Sequence, residues 1–172
     1  NTNTTGVDFV FNWRKENLML GFVGNFNKTT IDSIDTPSEL GSVEIFSHRE
    51  RSLIVNSRPR SNMSLTLDYN ADQFSFGLYN TNFGPVTVAN VDENPLFDQE
   101  LASKLITDLR VTYKFSPELR LTGIANNVFD IYPDVTLNST GGTAGGRFLY
   151  SSEVSQHGQL GRNYSLALTY KF

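Results

Sequence analysis

The 172-residue chain has no cysteine, which excludes a disulfide framework and any zinc site built on thiolates. Histidine is almost as scarce. His48 and His157 are the only two, so the chain supplies no His pair for a tight transition-metal site. Positive charge is not in excess: 14 Lys and Arg stand against 18 Asp and Glu, for a net charge of −4. A nucleic-acid partner, which usually meets a basic patch, is not expected. Long hydrophobic runs are missing as well. A membrane-crossing helix needs about 20 mostly apolar residues, and the longest run, residues 18–24, already holds Gly21 and Gly24. Residues 1–5 have no basic start and no apolar stretch, and read as no secretory leader. Hydrophobic residues make up only 38% of the chain, below the roughly 45–50% apolar content of an average domain.

Aromatic residues are abundant, with 13 Phe, seven Tyr and one Trp, and the apolar residues are ordered in a period of two. Val7, Phe9, Phe11 and Trp13 form one face of a first strand, and Leu18, Leu20, Phe22, Gly24 and Phe26 one face of a second. Met63, Leu65, Leu67 and Tyr69 follow, then Phe74, Phe76 and Leu78. Leu105, Thr107, Leu109, Val111, Tyr113 and Phe115 alternate next, then Leu119, Leu121, Gly123 and Ala125. Tyr164, Leu166, Leu168, Tyr170 and Phe172 complete the series. The pattern predicts an all-β chain of about seven up-and-down antiparallel strands and no helix of useful length. All six prolines fall between the strands, where no ladder donor is needed.

The connections alternate in length. Residues 15–17, 70–73 and 116–118 make short turns, while residues 27–61, 82–103 and 128–161 make long links. Short turns at one end and long loops at the other, on strands long enough to cross a bilayer, predict a segment of a transmembrane barrel. Trp13, Tyr69, Phe74, Tyr113, Phe115, Tyr170 and Phe172 sit at the short-turn ends, where rings form a girdle at headgroup depth. The in-strand charges Asp8, Arg14, Asp68, Asp108, Arg110, Lys114, Arg120 and Lys171 all lie on the opposite face. The competing reading is a soluble β-sandwich with one solvated face, serving as a binding module.

The last third resembles the C-terminal end of the TonB-dependent outer-membrane receptors. The resemblance rests on Asn126-Asn127-Val128-Phe129-Asp130 with Tyr132-Pro133, on Gly161-Arg162-Asn163-Tyr164, and on the final Tyr164, Leu166, Leu168, Tyr170 and Phe172. Such an ending is similar to the signal read by the outer-membrane barrel assembly machinery. The resemblance implies that residues 1–172 are the C-terminal part of a barrel. The plug domain, the contact with the TonB complex and the other strands would lie in polypeptide absent from the chain, since seven strands cannot close a conventional bacterial barrel. It further implies active uptake of a scarce nutrient, an iron chelate such as a siderophore above all, across the outer membrane of a Gram-negative bacterium. Lipid, the chain's own plug and a small-molecule nutrient are the implied partners. A passive porin segment is the alternative transport reading.

No Ser/His/Asp set can be placed, and the chain is not expected to be an enzyme or to hold a cofactor. Asp32, Asp35 and Glu39, like Asp92, Glu93 and Asp98, lack EF-hand spacing and read as solvated loop acids. Residues 141–146 read as a flexible Gly-rich loop rather than a phosphate loop, and the sequons at Asn27, Asn62, Asn138 and Asn163 as chance. The candidate ligand-binding residues are His48, Arg49 and Arg51 in the first long loop, beside Arg58 and Arg60, and Arg147, Tyr150 and His157 in the third. Guanidinium forks and aromatic faces suit anionic chelates. The competing reading is loop-to-loop salt bridging with Glu44 and Glu50.

Overall fold

The computed structural model describes residues 1–41, 44–137, 146–154 and 156–172, with no side-chain description at Leu40. The Gly-rich loop expected at residues 141–146, apart from Gly146, and the Asn138 sequon lie outside the described residues. Seven strands form a single antiparallel sheet: β1 (Thr2–Lys15), β2 (Leu18–Ile31), β3 (Ser61–Asn70), β4 (Phe74–Phe83), β7 (Lys104–Lys114), β8 (Leu119–Asn126) and β9 (Asn163–Tyr170). Their order in the sheet is their order in the chain, so every neighbour pair is an up-and-down hairpin. Among the described residues, a small ribbon, β5 (Val86–Val88) with β6 (Gln99–Leu101), and one α-helix, α1 (His48–Asn56), lie in the long connections.

Directly opposed residues of a ladder share a face. The register sets Trp13 opposite Leu20, Leu20 opposite Leu67, Leu67 opposite Leu78, Leu78 opposite Leu109, Leu109 opposite Ala125 and Ala125 opposite Tyr164. One row across all seven strands is therefore apolar, as the alternation requires. Protein does not cover this face: Phe11 is 57% and Leu166 74% exposed. No second sheet lies against it among the described residues, so the sandwich reading is set aside. The girdle rings stand together at the short-turn end, with Tyr113 and Phe115 edge to face at 4.9 Å and Tyr170 and Phe172 at 5.1 Å.

Three features depart from the sequence reading. β1 and β2 extend beyond the apolar stretch, because Asn3, Thr4 and Thr5 pair with Thr30, Thr29 and Lys28. The Thr4 and Thr29 hydroxyls lie 2.9 Å apart, so polar β-branched residues continue the ladder where no apolar alternation marks it. The helix was not expected; Ser47 and Glu50 start it with a reciprocal capping box, the Glu50 carboxylate accepting from the Ser47 N–H at 2.8 Å. The β5–β6 ribbon is too short to show a period.

These additions build a second body above the sheet, a loop cap. Its centre is the chain's buried apolar cluster, Val86, Val88, Leu101 and Val154, with Leu53 of α1 packed against it. Val88 is 0% and Leu101 2% exposed. The three long connections thus share one core. Replacing Leu101 with Ala is expected to cost the cap about 2–5 kcal/mol. Hydrogen exchange read by mass spectrometry should quicken in β5 and β6 and leave the amides of β2, β3 and β4 unchanged.

Candidate functional site

The outward site is assembled by polar clamps around that core. His48, the first residue of α1, places Nε2 at 2.8 and 3.0 Å from the Asp98 carboxylate, tying the first loop to the second. Arg49 grips the Glu153 carboxylate of the third loop with two guanidinium nitrogens, Nε at 3.1 Å. The Arg49 backbone N–H donates to Glu93 of the second loop at 2.9 Å. Arg51 pairs with Glu44 at 2.5 Å inside the first loop. Glu50 is spent in the capping box, and Arg60 donates to the Asn56 side chain at 2.8 Å. Salt bridging of the kind weighed in the sequence thus occurs, with Glu44 as one partner, and Asp98 and Glu153 as partners that spacing did not reveal. Among the described residues, no cluster of three His, Cys, Asp or Glu side chains is placed to hold a metal ion.

The third-loop candidates stand apart from this helix start. Tyr150 stacks on Tyr132, with centroids 6.4 Å apart and planes at 10°. Arg147 is exposed and forms no ion pair among the described residues. The second and third loops also expose apolar side chains: Leu96 is 88%, Phe97 62% and Phe148 54% exposed. His157 sits beneath, its ring 5.8 Å from that of Phe83, with Lys104 near. Gln156 fastens the loop to the sheet by donating to the Gly84 and Ala102 carbonyls at 2.6 and 2.9 Å. Lys104 also bonds Asp134. Burial alone would raise that carboxyl, but the Lys104 hydrogen bond, the Ala102 N–H and the ammonium charge together hold it below its ordinary value.

The motif at the end of β8 is a clasp. Asn127 takes a left-handed φ of 49°. Its side chain accepts from the Ile131 N–H at 2.9 Å and donates to the Ile131 carbonyl at 2.7 Å. Its own N–H donates to Asp108 at 2.7 Å. Asp130, also left-handed at 58°, accepts from the Arg162 N–H at 2.7 Å. Asn126 donates to Asn163 at 2.9 Å, directly across the ladder. A Cβ at Gly161 would overlap the Tyr132 hydroxyl, so a larger residue there would push that side chain aside. Phe129 is 67% exposed and takes no part in these bonds. Of the final alternating residues, Tyr164, Leu166, Leu168 and Tyr170 lie in β9, one free edge of the sheet, and Phe172 follows it.

The face opposite the apolar one carries a bonded set in the half nearer the short turns. Asp68, Gly77 and Arg110 are in register on three neighbouring strands. Arg110 reaches across the glycine to Asp68 at 3.0 Å, and the Tyr79 hydroxyl donates to the same carboxylate at 2.8 Å. The guanidinium carbon lies 5.5 Å from the Tyr79 ring centroid. A Cβ at Gly77 would fall 2.6 Å from the Tyr79 hydroxyl, so the absent side chain makes room for this network.

Burial pushes the His157 imidazole below its ordinary value of 6.5, against a raising backbone bond at Gly158, and the Lys104 charge adds to the lowering. Between the folded and unfolded values the unfolded chain binds more protons, so this residue's share of stability is present above pH 6.5 and is lost as the pH falls through that window. Proteolysis of the cap should be faster at pH 5.5 than at pH 7.5, and His157→Phe should flatten that difference.

No family model matches the sequence, and no curated protein matches it. Solved structures match the fold. The FpvAI–pyocin complex aligns with TM-score 0.67 and 16% identity over 99% of this chain and 19% of that one. The ferric enterobactin receptor PfeA from Pseudomonas aeruginosa aligns with TM-score 0.64 and 17% identity over 97% and 22%. The ferripyoverdine receptor of the outer membrane of Pseudomonas aeruginosa, bound to ferripyoverdine, aligns with TM-score 0.63 and 17% identity over 99% and 20%. The chain spans about a fifth of the length of these proteins. Its fold is that of one stretch of an outer-membrane siderophore receptor.

Proposed function

We propose that this chain is wall and outward loops of a TonB-dependent receptor that takes up a ferric siderophore across the outer membrane of a Gram-negative bacterium. The observation that carries the reading is the sheet itself: seven strands, one face apolar and uncovered, the other charged and hydrogen-bonded, all long connections at one end. The likeness to receptors for ferripyoverdine and ferric enterobactin supports the choice of cargo. Further strands complete the barrel at β1 and β9, a plug with its TonB contact fills it, and the β9 pattern serves the barrel assembly machinery. Arg147 with the neighbouring aromatic side chains meets the anionic chelate. His48, Arg49 and Arg51 hold the loops in the shape that receives it, and Tyr150 and His157 set the third loop beneath.

Deleting the gene for the receptor that contains this chain should abolish growth on one ferric siderophore as sole iron source, and a plasmid copy should restore it. Unchanged growth on every chelate of a siderophore panel overturns the proposed cargo. The wall reading has its own test. Leu65→Arg places a cation on the apolar face in the middle of β3 and should cost about 2–4 kcal/mol in lipid. Thr66→Arg, one residue on and facing the other way, should cost far less. Equal losses for the two, measured by urea unfolding in phospholipid vesicles, would falsify the lipid-facing assignment.

A further inference from the structure

We infer that Glu153 is an internal stand-in for a carboxylate of the cargo, and that cargo takes its place on Arg49 and so releases the third loop from the first. This exchange rests on the uptake reading above. The observation is an asymmetry in how the three loops are tied. Side chains reach backbone between the second and third loops at several points. Gln99 donates to the Val135 carbonyl at 2.9 Å and accepts from the Leu137 N–H at 2.8 Å. Asp134 accepts from the Ala102 N–H at 2.7 Å and pairs with Lys104. Gln156 adds its bond to the Ala102 carbonyl. The first loop meets the third differently, through Leu53 packed on the shared core and through the ion pair of Arg49 with Glu153.

That ion pair has the form of a ligand contact. Two guanidinium nitrogens meet the two carboxylate oxygens, the fork geometry by which arginine takes any carboxylate. The Arg49 side chain is 36% and that of Glu153 27% open to solvent, so a second carboxylate can approach. Pairs this open contribute little to stability, and an incoming anion can replace one member. The neighbouring carboxylates are engaged elsewhere. Asp98 is held by His48 and by the Asn90 N–H at 2.9 Å, Glu93 by the Arg49 N–H, and Glu50 by the capping box. While Glu153 sits on the fork, the fraction of chains ready for cargo is reduced, and the apparent affinity with it. Once cargo replaces it, His48 still ties the first loop to the second, and Gln99 and Gln156 still tie the third to the second. The break falls between α1 and the third loop, which carries Arg147. Exchange of like for like also selects: a chelate with a free carboxylate opens the pair, and one without does not.

Succinate, a plain dicarboxylate, tests the exchange without any cargo. Added to the intact receptor in detergent, against sodium chloride of equal ionic strength, it should quicken hydrogen exchange in residues 146–154 to the rate that Glu153→Gln shows without it. Residues 99–102 should not change. Succinate that acts no differently from chloride overturns the exchange. Binding gives the second readout. Glu153→Gln should hold the chelate that supports growth in the siderophore panel at least about fivefold more tightly than the unaltered receptor does. Methyl esterification of that chelate's free carboxylates should remove the gain. A static clamp gives the opposite result, because a loosened cap holds the chelate no better or less well, and that outcome overturns the proposal too. The two failures are separable: if no panel chelate supports growth, the proposed cargo falls, and the succinate result still decides whether Glu153 is displaced.

Discussion

A strand ladder allows no private choice of face. Once Leu67 pairs with Leu20 on one side and Leu78 on the other, the side-chain direction of three strands is locked, and the same rule carries through β7, β8 and β9. A slip of one residue in any hairpin would turn its apolar row onto the face that holds Asp68, Arg110 and Asp108. The uncovered apolar surface, the polar network of Asp68, Tyr79 and Arg110 and the direction of every long loop all depend on that shared register. In the proposed barrel wall, an apolar medium on one side would also make the backbone pairing obligatory, because an unsatisfied amide in lipid costs several kcal/mol.

This dependence explains which features are legible in the sequence. The alternation of Tyr164 to Phe172 states the face of β9 outright, since one buried side per strand leaves a period of two. The upper parts of β1 and β2 leave no such trace, because Asn3, Thr4 and Thr5 pair with Thr30, Thr29 and Lys28 above the apolar band and no apolar alternation marks them. α1 has a local signal, the spacing of Ser47 and Glu50, but hardly an apolar stripe, as only Leu53 meets the shared core. The ribbon contributes three residues per strand, fewer than a period needs.

The site was legible in residue type more than in role. Arg49 and Glu153 meet across 104 positions, and no spacing rule links them; only the folding of three hairpins side by side brings the pair together. The clasp residues were recognisable by resemblance, while their work is physical. Two left-handed residues, an amide that bonds both ways and a glycine with no room for a Cβ close a long loop within one turn of chain. Of the charges chosen as ligand contacts, His48 and Arg49 hold loop to loop and Arg51 pairs within its own loop, while Arg147 forms no ion pair among the described residues.

The shared core of the cap bears on the order of folding. Each hairpin of the wall is local, joined by a short turn or a single loop, and can pair as soon as it is made. The cap is not local. Leu53, Val88, Leu101 and Val154 come from three different connections, and contacts between such distant residues carry the full entropy of closing the chain between them. Their burial becomes favourable only after β2 through β9 stand in order and hold the loops side by side. Until then these side chains stay wet. The cap is thus expected to form after the wall, so that its closure would report that the strands beneath it are in register.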